Sequence, residues 1–193
     1  MLDLPINNQL NKLAPWQQTV FCMALAEQTR LHFQLFCDAI NSDNHQIINN
    51  INQLFWEKMT VKGAKVNFAI QQDHFEEIIP NVSDYDFYGV TPALDHCVIV
   101  SCVFNSFLTK STDEALNASQ TAFATIASFI ELQSGEEIQQ SDLEAEPLFK
   151  NQLALQLNIL KMLDEQRSPE LIKSIKKMVL DIGTTSLGID LEG

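Results

Sequence analysis

Apolar side chains recur at helical spacing along almost the whole chain. The clearest case lies between residues 47 and 59, where Asn, Gln and Glu side chains fill the positions between the apolar ones. The apolar positions of this stretch are Ile47, Ile48, Ile51, Leu54, Phe55 and Met59. Spacings of three and four residues place these side chains on one face, so the pattern predicts an amphipathic helix of about four turns.

Two capping boxes predict where helices begin in the second half of the chain. Ser111 and Glu114 have the Ser-x-x-Glu spacing at which each side chain bonds the backbone amide of the other residue. The helix that follows is predicted to end at Gly135, because glycine readily adopts the left-handed conformation at a helix end. Residues 141–144 repeat the capping-box spacing and predict a long helix that continues to about residue 166.

Prolines mark the start of further helices. Ser168 followed by Pro169 combines a capping side chain with a proline in the first turn, and the helix is predicted to end at Gly183. Pro15 opens another helix near the N-terminus. The apolar pattern there allows either a break near Thr29 or one long helix, and the sequence leaves both open.

Residues 97–108 form the most apolar stretch of the chain. The Val-Ile-Val run at 98–100 favours a strand by propensity, but the upstream pair Thr91-Pro92 is typical of a helix start. A helix that is apolar on all sides is a buried one, so we predict a central core helix here. The stretch is shorter than the roughly 20 residues that a bilayer-spanning helix needs.

The predicted elements combine into an all-α fold. Glycine and proline total 12 of 193 residues, and chains with few such residues favour long helices over many short strands and turns. We predict a single bundle-like domain of about eight or nine helices over residues 1–183, followed by a C-terminal tail, 184–193, without a pattern.

The acidic net charge of the chain disfavours negatively charged partners. There are 25 acidic residues against 12 Lys and Arg, and the formal net charge is −13. A nucleic acid or an anionic membrane surface attracts clustered basic residues, so we expect neither as a partner. Residues 1–13 have no basic segment followed by an apolar run, which is why a cytoplasmic location is expected.

Acidic residues are concentrated in the middle of the chain. Residues 66–149 contain 14 of the 25 acids and a single base, Lys110. This stretch is either a solvated face or a surface that meets a basic partner, and composition alone leaves both readings open.

Candidate chemistry lies in the polar segment between residues 73 and 96. The residues that we single out as a candidate ligand-binding group are Asp84, Asp86, Tyr88, Asp95 and His96. Carboxylates, a phenol and an imidazole are the groups from which polar ligand sites are built. Each acid also has a structural alternative, since loop aspartates bond nearby amides and an aspartate in the first turn of a helix meets the positive dipole end.

Motifs for metals and common cofactors are missing from the sequence. The four cysteines, Cys22, Cys37, Cys97 and Cys102, have no C-x-x-C spacing and lie among apolar residues, so buried reduced thiols are predicted. There is no pair of Glu-x-x-His motifs of the di-iron type and no glycine-rich phosphate loop. We therefore expect no metal and no cofactor.

Two segments resemble a known family. Residues 54–68 read LFWEKMTVKGAKVNF, and residues 75–80 and 84–97 read FEEIIP and DYDFYGVTPALDHC. Together with the pairs at 16–17 and 36–37, they resemble the YjaG-like family of small proteobacterial proteins of unknown function. The resemblance implies an all-helical, single-domain, cytoplasmic protein and supplies no catalytic residue.

Two function hypotheses follow from these patterns. The first is a non-enzymatic interaction or regulatory module whose acidic middle meets a basic protein partner. The alternative is a small-ligand or metal-binding protein with a polar site around residues 84–96. Apolar helix faces left outside the core would also allow a homodimer.

Overall fold

Helices follow one another along residues 1–109 and 111–190, the parts of the chain that the computed structural model describes. They are α1 (Asn7–Leu10), α2 (Pro15–Ala39), α3 (His45–Thr60), α4 (Phe68–Glu76), a 3₁₀ turn (Val82–Asp84), α5 (Val90–Leu108), α6 (Glu114–Ser134), α7 (Gln140–Leu143), α8 (Pro147–Leu163) and α9 (Pro169–Asp181). No strand occurs in these ranges, and an isolated antiparallel bridge joins Thr184 to Asp190. The predicted all-α fold is confirmed.

The two central helices are α2 and α5, which make the most extensive helix–helix contact of the fold. The first is one unbroken helix of 25 residues, and every residue from 18 to 29 is buried. The predicted core helix is α5, whose buried side chains contact α2, α6 and α4. Its length and apolar composition would by themselves suit a membrane span, as those of buried core helices also do.

Phenylalanine side chains fill the core between α3, α4 and α5. Phe104 on α5 lies with its ring centroid 4.9 Å from Phe55 on α3 and 5.5 Å from Phe75 on α4. Phe68 and Phe107 stack at 4.3 Å beside them. Burying each such side chain contributes about 1.5–3 kcal/mol, so this cluster fixes α3 and α4 against the central helix.

Several predicted helix ends are confirmed. Ser168 accepts a hydrogen bond from the Leu171 amide at 3.1 Å, as an N-cap residue does. Gly135 follows α6 with a φ of +74°, and Gly183 follows α9 with a φ of +72°. Both positions need the left-handed conformation that L side chains rarely adopt, which is why glycine marks these ends.

The predicted capping box at Ser111 is wrong. Helix α6 begins at Glu114, and its N-cap residue, Asp113, makes no side-chain cap bond. The Glu114 side chain is buried and accepts a hydrogen bond from Asn105 Nδ2 on α5 at 3.4 Å. A carboxylate that is drawn inward toward α5 cannot also bond the backbone amide of Ser111.

The second predicted capping box, at 141–144, is also wrong, and so is the long helix that it was expected to open. The chain forms the four-residue helix α7 and then starts α8 at Pro147. Glu146 has an extended ψ of 139°. The proline ring disfavours helical geometry at the residue before it, so Pro147 separates the two helices.

The C-terminal segment folds back beside α8. Thr185 and Ser186 are each 4% exposed, and Gly188 approaches Leu148 of α8. Within the predicted tail, residues 191–193 lie outside the described residues, as does Lys110 of the acidic stretch. The segment 184–190, called the C-terminal turn below, forms one wall of a cavity discussed later.

Candidate functional site

Asp84 and Asp86 lie on the surface between α4 and α5. Asp84 ends the 3₁₀ turn and accepts a hydrogen bond from its neighbour Ser83 Oγ at 3.4 Å. Asp86 is exposed in the following loop. The Ser83 backbone N–H donates to Asn81 Oδ1 at 3.2 Å, so the local polar contacts are those of a loop that closes on itself.

Tyr88 and Asp95 point toward α6. Asp95 Oδ2 accepts a hydrogen bond from Thr125 Oγ1 at 2.8 Å, and the Tyr88 hydroxyl donates to Ser128 Oγ at 3.4 Å. Burial raises the pKa of the Asp95 carboxyl, and the Thr125 hydrogen bond opposes that rise. Burial also raises the pKa of Tyr88, with a further rise from the Asp95 charge. These contacts join α5 to α6.

His96 points the opposite way, toward α2. Its Nδ1 lies 2.9 Å from Thr29 Oγ1, and the ring is fully buried. Burial, together with the charges of His32 and Arg30, lowers the pKa of His96 to about 3. The structure therefore places the five predicted residues in three separate environments: Asp84 and Asp86 on the surface, Tyr88 and Asp95 against α6, and His96 in the core.

Neither a reactive thiolate nor a metal-binding cluster is found in the described part of the chain. All four cysteines are free and buried, and burial raises the pKa of the Cys37 thiol to about 11. Burial raises the pKa of Cys97 as well, so thiolates are disfavoured. Over residues 1–109 and 111–190, no three His, Cys, Asp or Glu side chains lie close enough to hold a metal ion.

A different group of polar side chains converges where α2, α3 and α9 meet. They line an open recess of about 410 Å³, which we call the Glu27 recess. Its lining residues are Glu27 and Arg30 on α2, Asn49, Asn52 and Gln53 on α3, and Lys176 on α9. Helices that are distant in sequence thus contribute to one site.

Glu27 is the centre of this recess and is 8% exposed. Trp56 Nε1 donates a hydrogen bond to Glu27 Oε2 at 2.9 Å. Arg30 Nε lies 3.5 Å from Oε1, and Lys176 Nζ lies 4.0 Å from Oε2. Two of the three ion pairs in the described part of the chain therefore meet at this carboxylate. One buried negative charge faces two positive ones, which makes the recess locally positive.

The two cations of the recess are held loosely. Arg30 Nη1 reaches Asn49 Oδ1 at 3.5 Å, the long end of hydrogen-bond range. Lys176 Nζ lies 5.4 Å from the centroid of the Trp56 ring, a cation–π distance. The Arg30 side chain is 27% exposed and the Lys176 side chain is 34% exposed. An arginine has five N–H donors and a lysine three, so each has donors left for a further partner.

Asn52 forms part of the floor of the recess and is 4% exposed. Within the described residues, neither its Oδ1 nor its Nδ2 has a hydrogen-bond partner. A buried polar atom that lacks its hydrogen bond costs about 1–3 kcal/mol, so such atoms in folded proteins usually meet water or a ligand. Asn52 therefore offers a donor and an acceptor beside two available cations.

The sequence profile of the family described as "Protein of unknown function (DUF416)" matches residues 5–190. The chain belongs to the DUF416 family. The resemblance to YjaG-like proteins that the sequence suggests is thereby confirmed.

Relatives of this DUF416 chain match it over nearly its full length. It is 36% identical over 195 residues to "Uncharacterized protein YjaG" of Salmonella typhimurium, which covers 100% of both chains. It is 36% identical over 192 residues to "Uncharacterized protein YjaG" of Escherichia coli K12, with 98% of each covered. An "Uncharacterized protein" of Haemophilus influenzae is 33% identical over 190 residues, covering 96% of this chain and 97% of that one.

The fold is shared with a solved member of the DUF416 family. The crystal structure of a DUF416 family protein from Shewanella baltica OS155 superposes with a TM-score of 0.89 at 23% sequence identity. The match covers 98% of this chain and 100% of that one. At this identity the likeness establishes the fold, so a function for DUF416 members has to be argued from side chains.

The helical spacing of apolar residues in the sequence does not predict the Glu27 recess of this DUF416 protein. Its members belong to three helices, and the helical pattern gives the face of a residue but not the helix that it meets. One signal was present in the sequence: Glu27 directly follows the uninterrupted apolar run 20–26. A charged residue in such a position needs a partner, and Arg30, one of two arginines in the chain, lies one turn away.

Proposed function

We propose that the protein is a non-enzymatic regulatory module that binds a small anionic molecule in the Glu27 recess. The observation that carries this proposal is the buried and unpartnered Asn52 amide beside Arg30 and Lys176. An anion would accept hydrogen bonds from both cations and from Asn52 Nδ2, and so supply the acceptor that this buried donor lacks. In a chain of net charge −13, such a positive recess is a distinct local feature.

The geometry favours a carboxylate or a phosphate group over a simple halide. Arginine binds planar or tetrahedral oxyanions through two parallel N–H donors, and Lys176 adds a point charge on the α9 side. Glu27 keeps the two cations near each other without neutralising both. The buried indole of Trp56 lies beside Lys176 and donates to Glu27, so it helps to hold both charges at the recess.

A binding role is favoured over a catalytic one by what lines the recess. Its described lining side chains include no hydroxyl and no thiol. The one carboxylate accepts a hydrogen bond from Trp56 and faces two cations, so it is occupied as an acceptor. A general base needs an accessible lone pair within hydrogen-bond reach of the substrate proton.

Tryptophan fluorescence offers a direct test. The chain contains two tryptophans, Trp16 and Trp56, so a Trp16→Phe protein reports on the recess alone. Inorganic phosphate, succinate and a nucleoside monophosphate are titrated to millimolar concentration, and the melting temperature is followed in parallel. A ligand at 100 times its dissociation constant adds about 2.7 kcal/mol to the free energy of unfolding.

Matched variants separate binding in the recess from a general effect of charge. Lys176→Gln and Asn52→Leu are expected to abolish the response to the anion. Lys173→Gln removes the same charge from an exposed position on the same helix and should respond as the parent does. The proposal is overturned if no anion of the panel changes fluorescence or melting temperature, or if Lys173→Gln loses the response equally.

The acidic edge of the molecule favours a protein partner as a second candidate function. The exposed acids of this edge are Asp73, Glu76, Glu77, Asp84 and Asp86. Within the described parts of the chain, none of them forms an ion pair. Val82, which is 41% exposed, and the half-buried Tyr85 provide apolar surface among these charges. A basic, partly apolar segment of another protein would complement this edge.

Fluorescence anisotropy of a labelled Lys- and Leu-containing peptide tests the acidic edge. Binding is expected to weaken as salt rises, because exposed charges are screened. The double variant Asp84→Asn, Asp86→Asn should weaken it, whereas Glu136→Gln, Glu137→Gln removes two exposed charges elsewhere and should not. Equal effects of the two double variants would reduce the interaction to net charge and overturn this candidate.

A further inference from the structure

A second cavity, of about 280 Å³, lies between α2, α8 and the C-terminal turn. It is separate from the Glu27 recess, since the two share no lining residue. No charged side chain lines it within the described residues. Its walls combine polar amides and hydroxyls with the apolar side chains of Leu148 and Leu155. We call it the amide cavity.

Two buried glutamines form its polar wall. Gln28 on α2 and Gln152 on α8 are 6% and 1% exposed. Gln28 Nε2 donates a hydrogen bond to Gln152 Oε1 at 2.7 Å. In the described structure, Gln28 Oε1 and Gln152 Nε2 then have no partner. If both amides were rotated by 180°, the pair would still leave one acceptor and one donor free, so this result is independent of the amide assignment.

Ser186 in the C-terminal turn adds a third unpartnered polar atom. Its hydroxyl is buried, and among the described residues it bonds nothing. Thr185 Oγ1 holds the turn instead, by accepting hydrogen bonds from the amides of Leu187 and Ile189 at 3.2 and 3.3 Å. Ser186 Oγ is thus left over at the cavity. Each unmade hydrogen bond of a buried group costs about 1–3 kcal/mol, and here three residues that line one cavity each carry such an atom.

We propose that the amide cavity binds a neutral small molecule through an amide-like edge. That edge has an N–H donor next to a carbonyl or ring-nitrogen acceptor, as a primary carboxamide or a pyrimidine base has. The donor bonds Gln28 Oε1, the acceptor bonds Gln152 Nε2, and a further polar atom reaches Ser186. The apolar body of the ligand lies against Leu148 and Leu155.

The absence of charge in the wall sets the specificity. An ionised carboxylate in this cavity would lose its hydration without meeting a cation within the described lining, which is strongly unfavourable. A site built to hydrogen-bond a particular donor and acceptor also rejects analogues that lack one of them, because its own buried groups then stay unpaired. The cavity should therefore distinguish an amide from the corresponding acid.

Two matched pairs of compounds test this specificity on the full chain. Nicotinamide is compared with nicotinate, which replaces the amide by a carboxylate, and uracil with 1,3-dimethyluracil, which lacks the N–H groups. Binding is followed by isothermal titration and by the backbone amide shifts of Ser186 and Gly188 in NMR spectra. We expect nicotinamide or uracil to bind at least tenfold more tightly than its partner, a ratio that corresponds to about 1.4 kcal/mol.

Variants on one helix locate the binding. Gln152→Met keeps the length of the side chain and removes its polar atoms, and Ser186→Ala removes the hydroxyl in the C-terminal turn. Gln156→Met is the matched control, because Gln156 is equally buried on α8 but bonds Ser119 and does not line the cavity. Binding should fall at least tenfold in Gln152→Met and remain in Gln156→Met. If Gln152→Met does not fold, the loss of binding in Ser186→Ala is the test.

Three results would overturn the proposal. They are no binding of either amide at millimolar concentration, no preference within either pair of compounds, and an equal loss in Gln156→Met. The first result would mean that ordered water, and not a ligand, bonds the three polar atoms. Buried water also occupies sites that offer it several polar partners. Arg30→Gln should leave amide binding unchanged, so failure of the Glu27 recess as an anion site and failure of the amide cavity are distinguishable.

Discussion

Thr29 Oγ1 and His96 Nδ1 lie 2.9 Å apart and join the two central helices by a buried polar contact. The Thr29 hydroxyl also lies 2.9 Å from the Leu25 carbonyl, to which it donates its single proton. With its proton directed to Leu25, the Thr29 oxygen accepts from His96, an arrangement that corresponds to the tautomer protonated on Nδ1. In the described residues His96 Nε2 has no partner, and both ring nitrogens of the nearby His32 lack one too.

Mild acid should destabilise the protein because these two imidazoles are buried. Burial lowers the pKa of His32 from 6.5 to about 4 and that of His96 to about 3. Between these values and 6.5 the unfolded chain binds more protons than the folded one, so stability falls as the pH falls. At pH 5 each histidine is expected to have lost about 2 kcal/mol relative to pH 7. Urea denaturation at the two pH values measures this loss.

Two variants assign the pH effect to the buried rings. His32→Leu removes one of the two titrating groups and should abolish about half of the histidine contribution to the difference between pH 7 and pH 5. His74→Gln is the matched control, since His74 is exposed on α4, and it should leave the pH dependence unchanged. A free energy of unfolding that is the same at both pH values would contradict the buried, neutral histidines.

The two predicted serine caps should differ in their contribution to stability. Ser168 caps α9 through Leu171, so Ser168→Ala is expected to lower the free energy of unfolding by about 1 kcal/mol. Ser111 does not cap α6 and is exposed, so Ser111→Ala should change it by less than about 0.5 kcal/mol. Calorimetric melting temperatures compare the two variants directly. Equal shifts of the melting temperature in the two variants would indicate that Ser111 does cap α6, as the sequence suggested.

This contrast shows which part of the fold can be predicted from the sequence. The Ser168-Pro169 start and the ends at Gly135 and Gly183 depend on backbone groups within a few residues, and these predictions are confirmed. The box at Ser111 failed because Glu114 has a stronger contact on α5, which is a tertiary effect. Pro147 was visible in the sequence, and its effect on the preceding residue outweighs the capping signal at 141–144.

The candidate sites were harder to predict than the helices. Polar density around 84–96 was a real feature of the sequence, but adjacent helix positions such as Asp95 and His96 point about 100° apart. They consequently face α6 and α2. In the Glu27 recess, Glu27, Asn52 and Lys176 lie on α2, α3 and α9, and their proximity depends on how whole helices pack. A single sequence read alone has no direct signal for such contacts.

The phenylalanine cluster should dominate the stability of the α3–α5 half of the core. Phe104→Ala removes a fully buried ring that contacts Phe55 and Phe75, and it is expected to cost about 3–5 kcal/mol. Leu132→Ala is the control, because Leu132 is 56% exposed and should change stability by about 0.5 kcal/mol or less. Chemical denaturation measures both, and a loss below about 1 kcal/mol for Phe104→Ala would contradict its central position.

Replacing Asp95 by Asn should stabilise the protein at neutral pH. Burial raises the pKa of Asp95 above its usual 3.8, so the folded state binds a proton more tightly than the unfolded chain. Stability is therefore lost as the pH rises through the folded pKa, and the loss persists at pH 7. Asparagine keeps a carbonyl oxygen for the Thr125 hydroxyl at the same place but does not ionise.

We expect a higher melting temperature for Asp95→Asn at pH 7 and a smaller advantage toward pH 4. The exposed Asp84→Asn serves as the control without either effect, and a lower melting temperature for Asp95→Asn at pH 7 would mean that the charge itself is needed between α5 and α6.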